Sequence, residues 1–233
     1  MALTLTNIAK SFEGRSLLCG VSLSLQQGEV VGLGGASGAG KSTLARIMAG
    51  HLRANRGQVR LDDQPLPSLG SGPSPVQYAP QSAELACDPR WRVRDVLCNA
   101  GVPDVAVLEA LGIRAAWADR LPQSLSGGEL ARVSLARLLA PQTHFLICDE
   151  ITAQLDALAQ ARLWPLLLGL ARMRGLGVLV ISHDARLRRQ ICGRNLVLGD
   201  GQISTEAPDQ GEVSALPVGT QVGTDAAVLQ HCA

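Results

Sequence analysis

Near the start of the chain Leu3, Leu5 and Ile8 stand against Thr4, Thr6 and Asn7. A period of two puts alternate side chains on opposite faces, so residues 3–8 are predicted as a strand, read here as an edge strand. Val21, Leu23 and Leu25 alternate with Ser22, Ser24 and Gln26, which predicts a second strand with one wet face, closed by a turn at Gln27-Gly28. Residues 29–33 are a short apolar run ending in glycines, the pattern of a buried strand that feeds a loop. The period then changes: Leu44, Ile47, Met48 and Leu52 fall at helical spacing, predicting a helix over 42–52. Residues 64–75, rich in Pro, Gly and Ser, read as loop. Residues 95–121 read as helical pieces broken at Pro103 and Gly112, and Leu130, Val133 and Leu138 as a helix after Gly127-Gly128. Two further buried strands are predicted at 145–148 and 177–182, around a helix over 156–173 interrupted near Pro165. From Thr205 onward the chain is small, polar and without period, and a loose tail is expected there.

Buried strands alternating with helices imply an α/β fold with a mostly parallel sheet. With 233 residues, 46% hydrophobic and 18% charged, the chain has material for one core with an inserted subdomain, and general disorder is excluded. The net charge of +1 gives no reason to expect a nucleic-acid partner, and the Arg-rich stretch from Arg186 to Arg194 reads as a solvated helix face. No apolar run is long enough to span a bilayer, and Lys10 and Glu13 arrive before any signal-type core. None of the six cysteines (Cys19, Cys87, Cys98, Cys148, Cys192, Cys232) sits at a metal-binding spacing, so all are read as reduced thiols of a cytosolic protein.

The chemistry is concentrated in a few motifs. Residues 35–43, Gly35-Ala36-Ser37-Gly38-Ala39-Gly40-Lys41-Ser42-Thr43, satisfy G-x-x-x-x-G-K-[ST], between a predicted strand and a predicted helix. Glycines let consecutive amides turn toward phosphate oxygens, Lys41 is placed for the β- and γ-phosphates, Ser42 for Mg²⁺, and the helix adds its positive end. Ser126, Gly127, Gly128 and Glu129, in LSGGEL, form a second candidate phosphate loop at a helix start. In FLICDE an apolar strand delivers Asp149 to a metal position and Glu150 to the place of a general base. His183 follows the third buried strand, at the end of the sheet where ligands bind.

In this order the motifs resemble the ABC ATPase family, whose signature is LSGGQ; the match covers about residues 1–204. The resemblance implies a P-loop NTPase core with an antiparallel β subdomain and an inserted α-helical subdomain at about 82–140, with 205–233 as a tail. It implies binding of ATP and Mg²⁺. It also implies a head-to-tail pair in which Ser126, Gly127, Gly128 and Glu129 of one subunit close over the γ-phosphate held by another. On that pattern Gln81, in VQYAPQ, is the Q-loop glutamine that senses Mg²⁺ and water, and His183 the switch histidine. Asp156, in AQLD, is the D-loop acid, and Phe12 the aromatic that stacks on adenine. Three departures stand out: Glu129 for the usual Gln, Ile151 for the proline after Asp-Glu, and Gln154 within the D-loop. None removes a group needed for hydrolysis.

The segment DPRWRVRDVL, 88–97, and the run at 181–203 resemble the dipeptide, oligopeptide and nickel importer ATPases, with the second nickel-importer subunit as the nearest pattern. That implies a peripheral protein on the cytoplasmic face of a bacterial membrane. Its expected partners are a second ATPase subunit, two transmembrane permease subunits and an extracytoplasmic solute-binding protein. An exporter ATPase and a soluble ABC ATPase of DNA repair or translation are the alternatives. The interval between the phosphate loops carries no sustained heptads, and only one cassette is present.

Overall fold

The computed structural model describes residues 1–67, 74–99 and 104–206. It divides into two units: one built from Met1–Tyr78, His144–Glu150 and the chain from Gly175, the other from Ala79–Thr143 and Ile151–Arg174.

The first unit opens with β1 (Ala2–Phe12) and β2 (Arg15–Gln26), an antiparallel hairpin. β3 (Val30–Gly34) runs into α1 (Lys41–Met48), followed by β4 (Arg56–Leu61), β5 (Gln64–Pro65) and β6 (Val76–Ala79). One sheet has the order β2-β1-β4-β5. The expected edge strand is therefore an interior one, with β2 on one side of β1 and β4 on the other. Alternation reports which faces are buried, not how many neighbours a strand has. The uneven step from Leu5 to Ile8 also has a cause: the register shifts there, Asn7 takes φ 50°, and the extra residue returns Ile8 to the core face. Gly57 of β4 lies against this bulge, where a Cβ would overlap the carbonyls of Thr6 and Asn7.

The second unit contains α2 (Ala83–Ala86), α3 (Val93–Cys98), α4 (Val105–Ala110), two short 3₁₀ turns and α5 (Gly127–Leu138). Val93, Val96 and Leu97 of α3 and Leu130, Val133 and Leu135 of α5 are buried, and the two helices pack together. Trp117 is buried with the Arg132 guanidinium 4.8 Å from its ring centroid, a cation–π contact.

The chain returns to the first unit as β7 (Phe145–Asp149), and after α6 (Ala157–Arg174) as β8 (Gly177–Ile181), α7 (Ala185–Ile191), β9 (Arg194–Gly199) and β10 (Gln202–Thr205). These strands form a sheet ordered β10-β9-β3-β8-β7-β6, parallel from β9 through β7, with β10 antiparallel to β9. Every residue of β7 and β8 is buried, as expected for central parallel strands. A shared core joins Leu3, Leu5 and Leu25 of the first sheet with Leu33, Phe145, Leu179 and the α1 residues Leu44 and Met48.

α6 does not break at Pro165 but runs through it. The missing N–H orphans the carbonyl of Ala161, an exposed residue whose oxygen water can satisfy, while Leu163, Trp164, Leu167 and Leu170 bury the opposite side. The Arg186–Arg194 stretch is not a uniformly solvated helix face either. α7 ends at Ile191, Arg188 is buried, and Arg194 in β9 donates to Glu29 at 2.9 Å. Among the cysteines, Cys19, Cys87, Cys148 and Cys192 are free thiols, burial pushing Cys192 up to about 12. Cys98 is disulfide-bonded, contrary to the expectation of reduced thiols throughout, because sequence spacing does not show which sulfurs meet in space. Cys232, Pro103, 68–73 of the expected loop and all of the expected tail beyond Glu206 lie outside the described residues. Among the described residues no helix is long and apolar enough to cross a membrane.

Candidate functional site

The register of the parallel sheet gathers most of the predicted chemistry at one end. Leu33 pairs with Ile181 and Asp149 pairs with Ile181 from the other side, so β3, β7 and β8 finish level. The glycine loop, Glu150 and His183 follow directly from those three strand ends, the edge of a parallel sheet where ligands bind.

The loop 35–40 is shaped by its glycines. Gly35 (φ 140°) lies so close to the Leu198 carbonyl that a Cβ would overlap it, and Gly40 (φ 102°), backed by Leu17 and Leu18, occupies the N-cap of α1. No side chain caps that helix and no acid lies in its first turn, so its leading amides remain for an anion. Lys41 is 7% exposed and its Nζ donates to the carbonyls of Gly35 and Ala36, both at 2.9 Å. Ala36, Ser37, Gly38 and Ser42 are exposed, Ala39 and Thr43 half-buried. A cation held in the ring of the loop, glycine amides and an uncapped helix start form a donor set that fits a polyphosphate.

Asp149 is 4% exposed, and Tyr78 Oη donates to its Oδ2 at 2.8 Å. The Arg46 guanidinium of α1 lies beside the same tyrosine, and the His51 ring lies 5.6 Å from it. Burial pushes the Tyr78 phenol above its usual value, so it stays a donor to the carboxylate. Glu150 adopts φ 52°, a left-handed conformation rare for a non-glycine residue, and its N–H donates to Ile181 O at 3.0 Å. Its Oε2 stands 3.8 Å from Nδ1 of the largely exposed His183. Phe12, at the end of β1, is 47% exposed with Lys10 Nζ 5.1 Å from its ring centroid.

The remaining predicted residues belong to the second unit. Gln81 is exposed. Ser126 caps α5 in a reciprocal box: its Oγ accepts from Glu129 N at 3.3 Å, and Glu129 Oε2 accepts from Ser126 N at 2.9 Å. That gives the unusual Glu129 a definite local task, and the bond from the Ser126 amide holds its carboxyl below the ordinary range. Gly128 allows close approach, since a Cβ there would crowd Ala159, whereas one on Gly127 would make ordinary contact with Leu155. Asp156 accepts from Ala159 N at 2.7 Å at the start of α6, and Gln160 ties down the turn before it through the carbonyls of Thr152 and Leu155.

Residues 18–153 match the family described as ABC transporter. The chain belongs to the ABC transporter family. It is the family's ATP-binding, ATP-hydrolysing subunit, with the α/β cassette fold. Among its relatives, the nickel import ATP-binding protein NikE of Rhodospirillum rubrum is 36% identical over 84% of this chain and 77% of that protein. The methionine import ATP-binding protein MetN of Caulobacter vibrioides is 34% identical over 88% of this chain and 66% of that one. A nucleotide-free ATP-binding cassette from an ABC transporter superposes with a TM-score of 0.75 at 23% identity, over 87% of this chain and 90% of that one.

Sequence reasoning missed two side chains of this ABC ATPase's strand-end cluster. Tyr78 is the chain's single tyrosine and lies three residues before Gln81, but nothing in its spacing points at Asp149. Arg188 was hidden in a run of arginines; the signal that marks it is Gly34, a second glycine ahead of the loop, which leaves room for a guanidinium.

Proposed function

We propose that this ABC ATPase drives import of a nickel ion or nickel complex, with a di- or oligopeptide as the other solute its sequence pattern allows. The observation that carries this reading is the 36% identity to a nickel import ATP-binding protein across 84% of the chain. The solute itself is handled by partners: two permease subunits, a solute-binding protein outside the membrane and a second ATPase subunit, with this chain peripheral on the cytoplasmic face.

ATP with Mg²⁺, when bound, supplies the phosphoryl group whose transfer to water releases the driving energy. The amides from Gly35 to Gly40 and the start of α1 hold the phosphates, Lys41 carries the cation to them, and Phe12 stacks on the base. Ser42 and Asp149 offer oxygen ligands for Mg²⁺, and Tyr78 fixes the direction of the Asp149 carboxylate. Glu150 Oε2 takes the proton of the attacking water, and His183, 3.8 Å away, orients that water. Ser126, Gly127, Gly128 and Glu129 close over the nucleotide of the partner subunit, with Asp156 lining the contact. Bound nucleotide acts as glue, so pairing depends on ATP.

The test is uptake of labelled nickel and of a labelled dipeptide in cells carrying either the wild type or Glu150→Gln. Loss of nickel uptake alone supports the reading. Loss of dipeptide uptake alone moves the protein to peptide import, and no change in either overturns import of both solutes.

A further inference from the structure

Arg188 stands apart from every other arginine in the first unit: only 4% of its side chain is exposed. Its Nη1 donates to the carbonyl of Ser182 at 2.6 Å and its Nη2 to Glu206 Oε2 at 2.8 Å, while its Nε is buried with no partner among the described residues. The guanidinium lies against Gly34 so closely that any Cβ there would overlap it. Glu206 is anchored in turn: its N–H donates to Asn195 O at 2.9 Å, and its other oxygen lies 3.5 Å from Arg189.

The three things this one group touches are not arbitrary. Ser182 is the residue before His183, and its Oγ accepts from Asp184 N at 3.1 Å, which shapes the turn. Gly34 is the residue before the phosphate loop. Glu206 is the residue after β10. Burying an ion pair is a poor way to gain stability, since apolar side chains of similar volume usually do as well, and here one N–H is left unsatisfied besides. What a guanidinium offers that an apolar side chain does not is a fixed fork of donors.

We propose that Arg188 is a positioning residue for hydrolysis. It locks the Ser182-His183 turn against the strand that carries the phosphate loop, and Glu206 holds it in that pose. The inference rests on the reading of His183 as the residue that orients water. It assigns to the chain segment after β10 a direct influence on turnover.

The experiment compares steady-state ATP hydrolysis, ATP affinity and thermal melting of Arg188→Met, Arg188→Lys, Glu206→Gln and His183→Ala. Glu206→Gln removes the charge that holds the guanidinium in its pose while nearly keeping the shape, so it serves if Arg188→Met does not fold. The expected result is a fall in kcat of fivefold or more in Arg188→Met and in Glu206→Gln. KM for ATP stays within twofold of the wild type, and Arg188→Lys recovers part of the rate. Wild-type kcat in a folded Glu206→Gln or Arg188→Met, with His183→Ala impaired, overturns the proposal alone. Wild-type kcat in His183→Ala overturns the reading of His183 and the proposal with it.

Discussion

Removing the Tyr78 hydroxyl by Tyr78→Phe deletes a single oxygen atom. In the wild type that oxygen donates to Asp149 Oδ2 at 2.8 Å, and Asp149 is 4% exposed, so water has little access to replace it. A hydrogen bond to a charged group is worth about 1.5–3 kcal/mol, and leaving a buried acceptor short of a donor costs in the same range. Taking about 2 kcal/mol, and about 2–4 °C per kcal/mol for a chain of this size, the melting temperature falls by about 4–8 °C. The ring fills the same space in both proteins, so no cavity contributes. A second effect belongs to function: with its carboxylate no longer oriented, Tyr78→Phe needs more Mg²⁺ for half-maximal ATP hydrolysis. Circular dichroism melts and a Mg²⁺ titration of the ATPase rate measure the two effects. A melt within about 1 °C of the wild type would refute the reasoning, because the bond would then contribute nothing net.

The other expectations are simpler. Glu150→Gln lowers kcat by at least about a hundredfold while nucleotide binding persists, read by single-turnover hydrolysis and by ATP-dependent pairing in gel filtration. Glu129→Ala removes half of the capping box and lowers stability by about 1 kcal/mol, whereas Glu129→Gln keeps the acceptor and melts close to the wild type. Because the Glu129 carboxyl is held below its ordinary value, its contribution is present above about pH 4.3 and is lost as pH falls through the lowered folded value. Melts of the wild type and Glu129→Ala should therefore converge in acid. The Tyr78 phenol is raised, so its contribution is intact below about pH 10 and lost as pH rises through the folded value. Tyr78→Phe should lose less stability than the wild type as pH rises from about 9.5 to about 11 in the same melts.

Much of the sheet was legible because buried parallel strands leave uninterrupted apolar runs: the runs at 29–33, 145–148 and 177–182 became β3, β7 and β8. The glycine loop was legible for a local reason, since backbone turns of that kind require glycine whatever lies around them. What stayed hidden depends on partners far along the chain. The neighbours of β1 are set by β4, whose Leu61 pairs with Leu3. The continuity of α6 through Pro165 depends on which side of the helix faces water. Arg188 reads as a surface residue until Gly34, Ser182 and Glu206, scattered along the sequence, are brought round it. Tyr78 and Asp149 are likewise 71 residues apart.

The left-handed backbone at Glu150 has an evolutionary consequence. A non-glycine residue held at φ 52° carries about 1 kcal/mol or more of local strain, which glycine would not. A mutant library selected only for heat resistance should therefore enrich the substitution Glu150→Gly, and on the proposed mechanism every such survivor would have traded its general base for comfort. The position works as a gauge of selection: a glutamate there marks a lineage kept for turnover, a glycine one kept for folding alone.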